Sequence, residues 1–153
     1  MPLLLGAWLT DHGVLMYEPT MEILSAEECV QLLRQVPVGR IGISVGALPV
    51  ILPVNYSIVD NAIMFRTNPG SKLAAASASA VVAFEVDSHE QDGCSGWSVL
   101  VQGMAREVID PLEREMALAA PIRAWAFGDR ADRVVRIEMQ TLSGRRYGWP
   151  GTS

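Results

Sequence analysis

Apolar and polar residues alternate with a period of two in parts of this chain. The pattern is clearest over 98–109. There Val99, Val101, Gly103 and Ala105 fall on one face, and Leu100, Gln102 and Met104 on the other, the spacing of a strand with one buried side. Shorter runs predict strands at 40–45, 50–58, 62–67, 81–86 and 134–139. Gly46 and Asp60-Asn61 mark turns among the first three. Pro53 places the second strand near an edge or bulge, and Gly103 in mid-strand signals a bulge, a bend, or close approach of a ligand or another backbone.

Three stretches switch to helical spacing. Ser25 with Glu28 three residues later forms a capping box ahead of Cys29, Leu32, Leu33 and Val36, and Pro37 stops the helix. A short Ala-rich helix follows Ser71 as cap and runs to about residue 79. Asp110 caps a third helix with Pro111 in its first position, and Pro121 bends or divides it. Residues 87–96 read as a polar loop, 128–133 as a connector and the stretch from Thr141 as a tail. Short links between consecutive strands favour antiparallel pairing. The fold is thus mainly β with peripheral helices: six antiparallel strands in a closed or nearly closed barrel.

Composition narrows the class. The chain has 153 residues, half hydrophobic and 19% charged, with a net charge of -5. That suits one globular domain and argues against a broad nucleic-acid partner or an anionic membrane surface. Cys29 and Cys94 form no CxxC, and His12 and His89 lack ligand spacing. No metal is expected, the thiols are read as reduced, and the compartment as cytoplasmic. The apolar run at 3–9 is too short to span a membrane and has no basic residue before it. The expected organisation is an extension over 1–20, one domain over 21–146 and a tail over 147–153.

One stretch gathers candidate chemistry. Phe65-Arg66-Thr67-Asn68-Pro69-Gly70-Ser71-Lys72-Leu73 contains the chain's single lysine. It combines a strand end, a Pro-Gly turn and a helix start, so cationic, hydroxyl and backbone N–H donors converge. The stretch reads either as a phosphate site or as a hairpin corner with two solvated cations. No nucleophile motif, carboxylate pair or Gly-rich nucleotide fingerprint accompanies it, and no residue is singled out as catalytic.

Three segments together carry a resemblance: Gly39-Arg40-Ile41-Gly42 followed by Pro53-Val54-Asn55-Tyr56, then Phe65-Arg66-Thr67 with Gly70-Ser71-Lys72-Leu73, then the run from Gly96-Trp97 to Gln102-Gly103-Met104-Ala105. In this order the chain resembles the pyridoxamine 5'-phosphate oxidase-like, FMN-binding split-barrel family, in particular its small bacterial nitroimidazole-resistance reductases. The resemblance implies a homodimer with FMN, or alternatively a deazaflavin, between two barrels. It implies phosphate contacts at Arg66, Thr67, Ser71 and Lys72, ring contacts at Val54, Asn55 and Tyr56, and a strand from Trp97 to Gln102 reaching toward the partner's flavin. The implied activity is flavin-dependent reduction of a small electrophilic acceptor such as a nitroaromatic or quinone-like compound. A non-catalytic flavin or haem storage or sensor protein is the alternative. The chain lacks the longer basic pattern of vitamin B6 oxidases.

Overall fold

The computed structural model describes residues 7–9, 15–91, 93–122 and 132–148. The connector expected over 128–131 and much of the expected extension and tail lie outside them. Where the sequence alternates, the chain is extended. Strands β1 (Ala7–Leu9) and β2 (Leu15–Tyr17) form a hairpin. Strand β3 (Thr20–Leu24) and helix α1 (Ala26–Leu33) follow, then β4 (Val38–Val45), β5 (Leu48–Val59) and β6 (Ala62–Thr67). Helix α2 (Lys72–Ala76), β7 (Ala80–His89), β8 (Gly96–Glu107), α3 (Pro111–Ala119), β9 (Arg133–Glu138) and β10 (Thr141–Gly148) complete the order.

Six of these strands close a barrel. Antiparallel pairing runs β8-β7-β4-β5-β6-β9, and β9 returns to β8. Strand β8 makes this possible by changing partner along its length. Its residues from Gly96 to Gln102 pair with β10, and those from Ala105 to Glu107 pair with β9. Beyond β10 lies β3 as an outer strand. The close approach at Gly103 is to another backbone: a Cβ there would stand 1.7 Å from the Glu138 carbonyl oxygen. This is where the chain passes from β9 toward β10.

Alternation sorts the side chains into two cores. Inside the barrel pack Ile41, Ile43, Val54, Tyr56, Ile63, Phe65, Phe84, Val99, Val101 and Ile137. Outside it, α3 covers β6 and β9, and Met64, Val134, Val108 and Ala117 form a second, smaller cluster. Helix α1 starts with the expected capping box, the Glu28 N–H donating to Ser25 Oγ and the Ser25 N–H to Glu28 Oε2. Asp110 and Ser71 cap the other two helices as expected.

Several elements differ from the pattern-based expectation. Strand β10 occupies what reads as a tail, with β8 and β3 as hydrogen-bonded neighbours on its two sides. Strand β7 continues through His89 into the expected loop, because β8 already begins at Gly96 opposite it. Helix α3 ends at Ala119, before Pro121, and α2 is only five residues long. Pro53 sits where β5 is paired with β4 alone, since the β5–β6 ladder starts at Tyr56. Among the described residues, no helix is long and apolar enough to cross a membrane.

Candidate functional site

The anion-binding candidate is built on a tight turn. Pro69 takes the second position, its fixed φ suiting that place, and Gly70 the third with φ +73°. The Ser71 N–H donates to the Asn68 carbonyl oxygen at 3.3 Å. A Pro-Gly pair with positive φ at the third position is the signature of a type II turn. The turn folds the chain so that Ser71 comes back against the end of β6.

Two hydroxyls meet there. Thr67 Oγ1 lies 2.9 Å from Ser71 Oγ, and Ser71 Oγ also accepts the Ala74 N–H at 3.0 Å. A hydroxyl has one proton and two acceptor sites. The contact between Thr67 and Ser71 therefore consumes one of their two protons. Whichever residue donates, the other retains a proton to give to a third group. The N–H groups of Lys72 and Leu73 also begin a helix that offers them no acceptor. Thr67 is buried, and Arg66 is half-buried on the opposite, outer face of β6. The side chain of Lys72 lies outside the description.

A further polar group sits in the same turn. The Asn68 Oδ1 is buried and has no hydrogen-bond partner. Asparagine opening a turn ordinarily bonds its side-chain oxygen to the N–H two residues on, and Asn68 does not.

The expected ring contacts divide by strand alternation. Tyr56 and Val54 point into the barrel core. The Tyr56 hydroxyl donates to the Leu33 carbonyl oxygen at 2.5 Å, and its ring meets Phe84 edge-on at 4.8 Å between centroids. Burial pushes the phenol pKa well above its ordinary value. Asn55, between them, faces outward. Asn55 and Arg66 each lie one residue beyond the last β5–β6 pair, Tyr56 with Phe65, so they flank the same outer row.

Trp97 and Gln102 also part. Trp97 packs against the barrel core, whereas Gln102 is exposed on the outer face and accepts from Thr141 Oγ1 at 3.3 Å. Arg146, one of the two tail arginines, pairs with Glu22 at 2.8 Å across β10 and β3. Beside Asn55 the outer face carries an open groove of about 450 Å³ lined by Val36, Val38, Arg40, Pro53 and the end of β7, including His89. Arg40 there holds Asp87 at 2.6 Å and Glu85 at 3.4 Å. Burial, reinforced by Asp87, raises the Glu85 pKa against the opposing pull of Arg40.

Geometry thus joins Thr67 and Ser71 directly and brings Asn55 and Arg66 to one face. It separates Tyr56, Val54 and Trp97 as core residues by their side chains. Asn68 was legible only as part of a turn, since nothing in an Asn-Pro-Gly tripeptide tells that the amide oxygen will be left unpaired.

The sequence profile of the pyridoxamine 5'-phosphate oxidase family matches residues 25–146. An uncharacterized protein of Mycobacterium tuberculosis is 36% identical over 128 residues, spanning 80% of this chain and 83% of that one. Among solved structures, the FAD-binding protein of Mycobacterium smegmatis is 37% identical. It covers 82% of this chain and 98% of its own, with a TM-score of 0.72. An FAD-binding protein of Mesorhizobium loti is 28% identical, covering 82% and 97%, with a TM-score of 0.67.

Proposed function

The chain belongs to the pyridoxamine 5'-phosphate oxidase family, and on that premise we propose that it is a flavin-dependent oxidoreductase whose β6–α2 turn holds the flavin phosphate. The observation that carries this reading is the Thr67–Ser71 pair, which keeps one hydroxyl donor to spare at a turn that leads into a helix start. A phosphate needs several converging donors; Lys72 opens the helix after the turn and would add cationic charge, and Arg66 would have to reach the site round the end of β6 from its outer face. The residues present fit such a group.

Bound there, the flavin would supply hydride or electron-pair transfer to a small electrophilic acceptor, such as a nitroaromatic or quinone-like compound. The chain's own contribution is to bind and orient. Asn55 offers its amide to the ring edge, while Val54 and Tyr56 serve by backbone and by fixing β5 against α1. A nicotinamide nucleotide is the proposed reductant. FAD is the second reading, favoured by the two FAD-binding structures to which the chain is similar; its ribityl-side phosphate keeps two non-bridging oxygens for the turn, the third position being the bridge to the adenylate.

The proposed assembly is a homodimer joined through the outer face of β8, which would carry Gln102 toward the partner's flavin. Titration of the protein with FMN, FAD and a deazaflavin, followed by flavin fluorescence, tests the cofactor. Saturable binding of FMN or FAD is expected, weakened about tenfold by Lys72→Ala without loss of fold. Absence of saturable binding by either would sink the reading. Oxidation of NADH or NADPH by the loaded protein, dependent on an added nitroaromatic or quinone, tests the activity.

A further inference from the structure

Resting on that flavin reading, we propose that the groove beside Asn55 receives the acceptor, and that Arg40, Glu85 and Asp87 select it by charge, admitting cationic aromatic compounds and turning anionic ones away. The placement follows from strand register. Asn55 lies opposite Val38, and Pro53, Arg40 and Glu85 form the next outward row across β5, β4 and β7. Asp87 follows Glu85 at a spacing of two, so it shares that face. Val36, Val38 and Pro53 give the groove an apolar side, and Arg40, Asp87, Ser88 and His89 a polar one. A volume of about 450 Å³ suits a compound of one or two rings. A flavin ring that meets the Asn55 amide has this groove at its flank.

The charges on the polar side do not balance. One guanidinium serves two carboxylates: Arg40 Nη1 stands 2.6 Å from Asp87 Oδ1 and 3.4 Å from Glu85 Oε2. Asp87, after burial, helps to raise the Glu85 pKa, as a second negative charge sharing one cation should. Both carboxylates are about one-third exposed, so part of their field acts away from bulk water. Arg145 continues the row on β10, but it is exposed and its backbone lies two strands beyond Asp87, about 10 Å away, where salt screens it. Arg40 keeps further N–H groups, yet an anion that reaches them also faces both carboxylates. A cation on an aromatic ring meets the opposite field, and a planar one can pair with a carboxylate through two N–H donors.

Three nitrobenzenes matched in shape test this: para-nitrobenzoate, para-nitrobenzamide and para-nitrobenzamidine, which are anionic, neutral and cationic. Their dissociation constants are measured by calorimetry on the flavin-loaded protein, at low salt and mildly alkaline pH, above the carboxylate range. Wild type is expected to bind the amidine about tenfold more tightly than the benzoate, with the amide between. Glu85→Gln combined with Asp87→Asn leaves Arg40 uncompensated and should reverse the order. Arg40→Gln should widen the preference for the amidine. Each reading is a ratio between probes, so general weakening by a loosened groove cancels, and Arg40→Gln answers if the double variant does not fold. Glu27→Gln combined with Glu115→Gln changes the net charge equally at exposed positions elsewhere and should leave the ratio within about twofold of wild type. A wild type that binds flavin but none of the probes, or binds them without charge order, overturns the inference and leaves the flavin reading intact. So do groove variants that keep the wild-type order, or a remote pair that shifts the ratio as much as they do. If wild type binds no flavin, the proposed function and this inference fall together.

Discussion

Gly103 sits where β8 leaves β10 for β9, and there the backbone of Glu138 and Gln140 crosses it. A Cβ would lie 1.7 Å from the Glu138 carbonyl oxygen and 3.2 Å from the Gln140 nitrogen. Both obstacles are backbone, so no rotamer change relieves them. Gly103→Ala is expected to cost at least about 3 kcal/mol in urea unfolding or to abolish folding. Gly148→Ala, whose Cβ would meet Ser95 at an ordinary 3.5 Å, should stay within about 1 kcal/mol of wild type. Similar costs for the two would refute the steric argument. Tyr56 gives a second contrast. Its hydroxyl donates to a carbonyl at the end of α1, so Tyr56→Phe leaves the Leu33 carbonyl oxygen without that donor. A loss of about 1–2 kcal/mol is expected, with flavin affinity within about threefold of wild type. A large affinity loss at unchanged stability would return Tyr56 to the ring site.

Helix α3 is tied to the barrel by ions as well as by its apolar cluster. Glu113 receives Arg106 at 2.7 and 3.0 Å and stands 3.3 Å from Arg136, which itself bonds Glu138 at 2.7 Å and lies 3.7 Å from Asp60. The hydrogen bond from Arg106 is the main reason the Glu113 pKa lies below its ordinary value, while burial and Asp110 oppose it. A carboxylate with a depressed folded pKa stabilises the fold above its unfolded pKa of about 4.3, and that contribution is lost as pH falls through the folded value. The melting temperature should therefore fall on acidification below about pH 5, less steeply in Glu113→Gln; parallel profiles would show that the pair contributes nothing measurable. Elements with strong local signals were readable in part: β6 at both bounds and α1 at its capped start, whereas α1 ends at Leu33, short of Val36 and of the Pro37 expected to stop it. Strand β10 was not readable, because Ser143, Gly144, Arg145 and Arg146 have little intrinsic strand preference. Its conformation comes from neighbours on both sides, and Gly144 is demanded by Cys29, whose sulfur would lie 2.5 Å from a Cβ. That contact joins residues far apart in the chain, and no local pattern announces it.

At the scale of the whole molecule, the same alternation that fills the barrel leaves an apolar outer face. Strands β5, β4, β7, β8, β10 and β3 form one continuous surface. On it Ile51, Val81, Leu100 and Met104 are exposed around the small residues Gly42 and Ala83, and Met21, Ile23 and Tyr147 extend it toward the outer strand. The sequence separated the two faces of β8 correctly, but a period of two does not say which face meets the core. Trp97 accordingly belongs to the inside, and Gln102 to the surface where a partner would lie. An apolar patch of this kind, with a flat centre of small side chains, suits a second copy of the sheet, which needs about 800 Å² from each partner for a stable interface. Light scattering of the wild type is expected to give twice the chain mass of 16.6 kDa. Ile51→Arg combined with Met104→Arg places four charges across a twofold interface and should yield monomers that remain folded by circular dichroism. If Gln102 serves the flavin of the partner, those monomers also lose flavin affinity, whereas a barrel that binds flavin alone keeps it. A wild type that scatters as a monomer at all concentrations removes the dimer from the proposal and confines the site to Asn55, Arg66, Thr67, Ser71 and Lys72 of one chain.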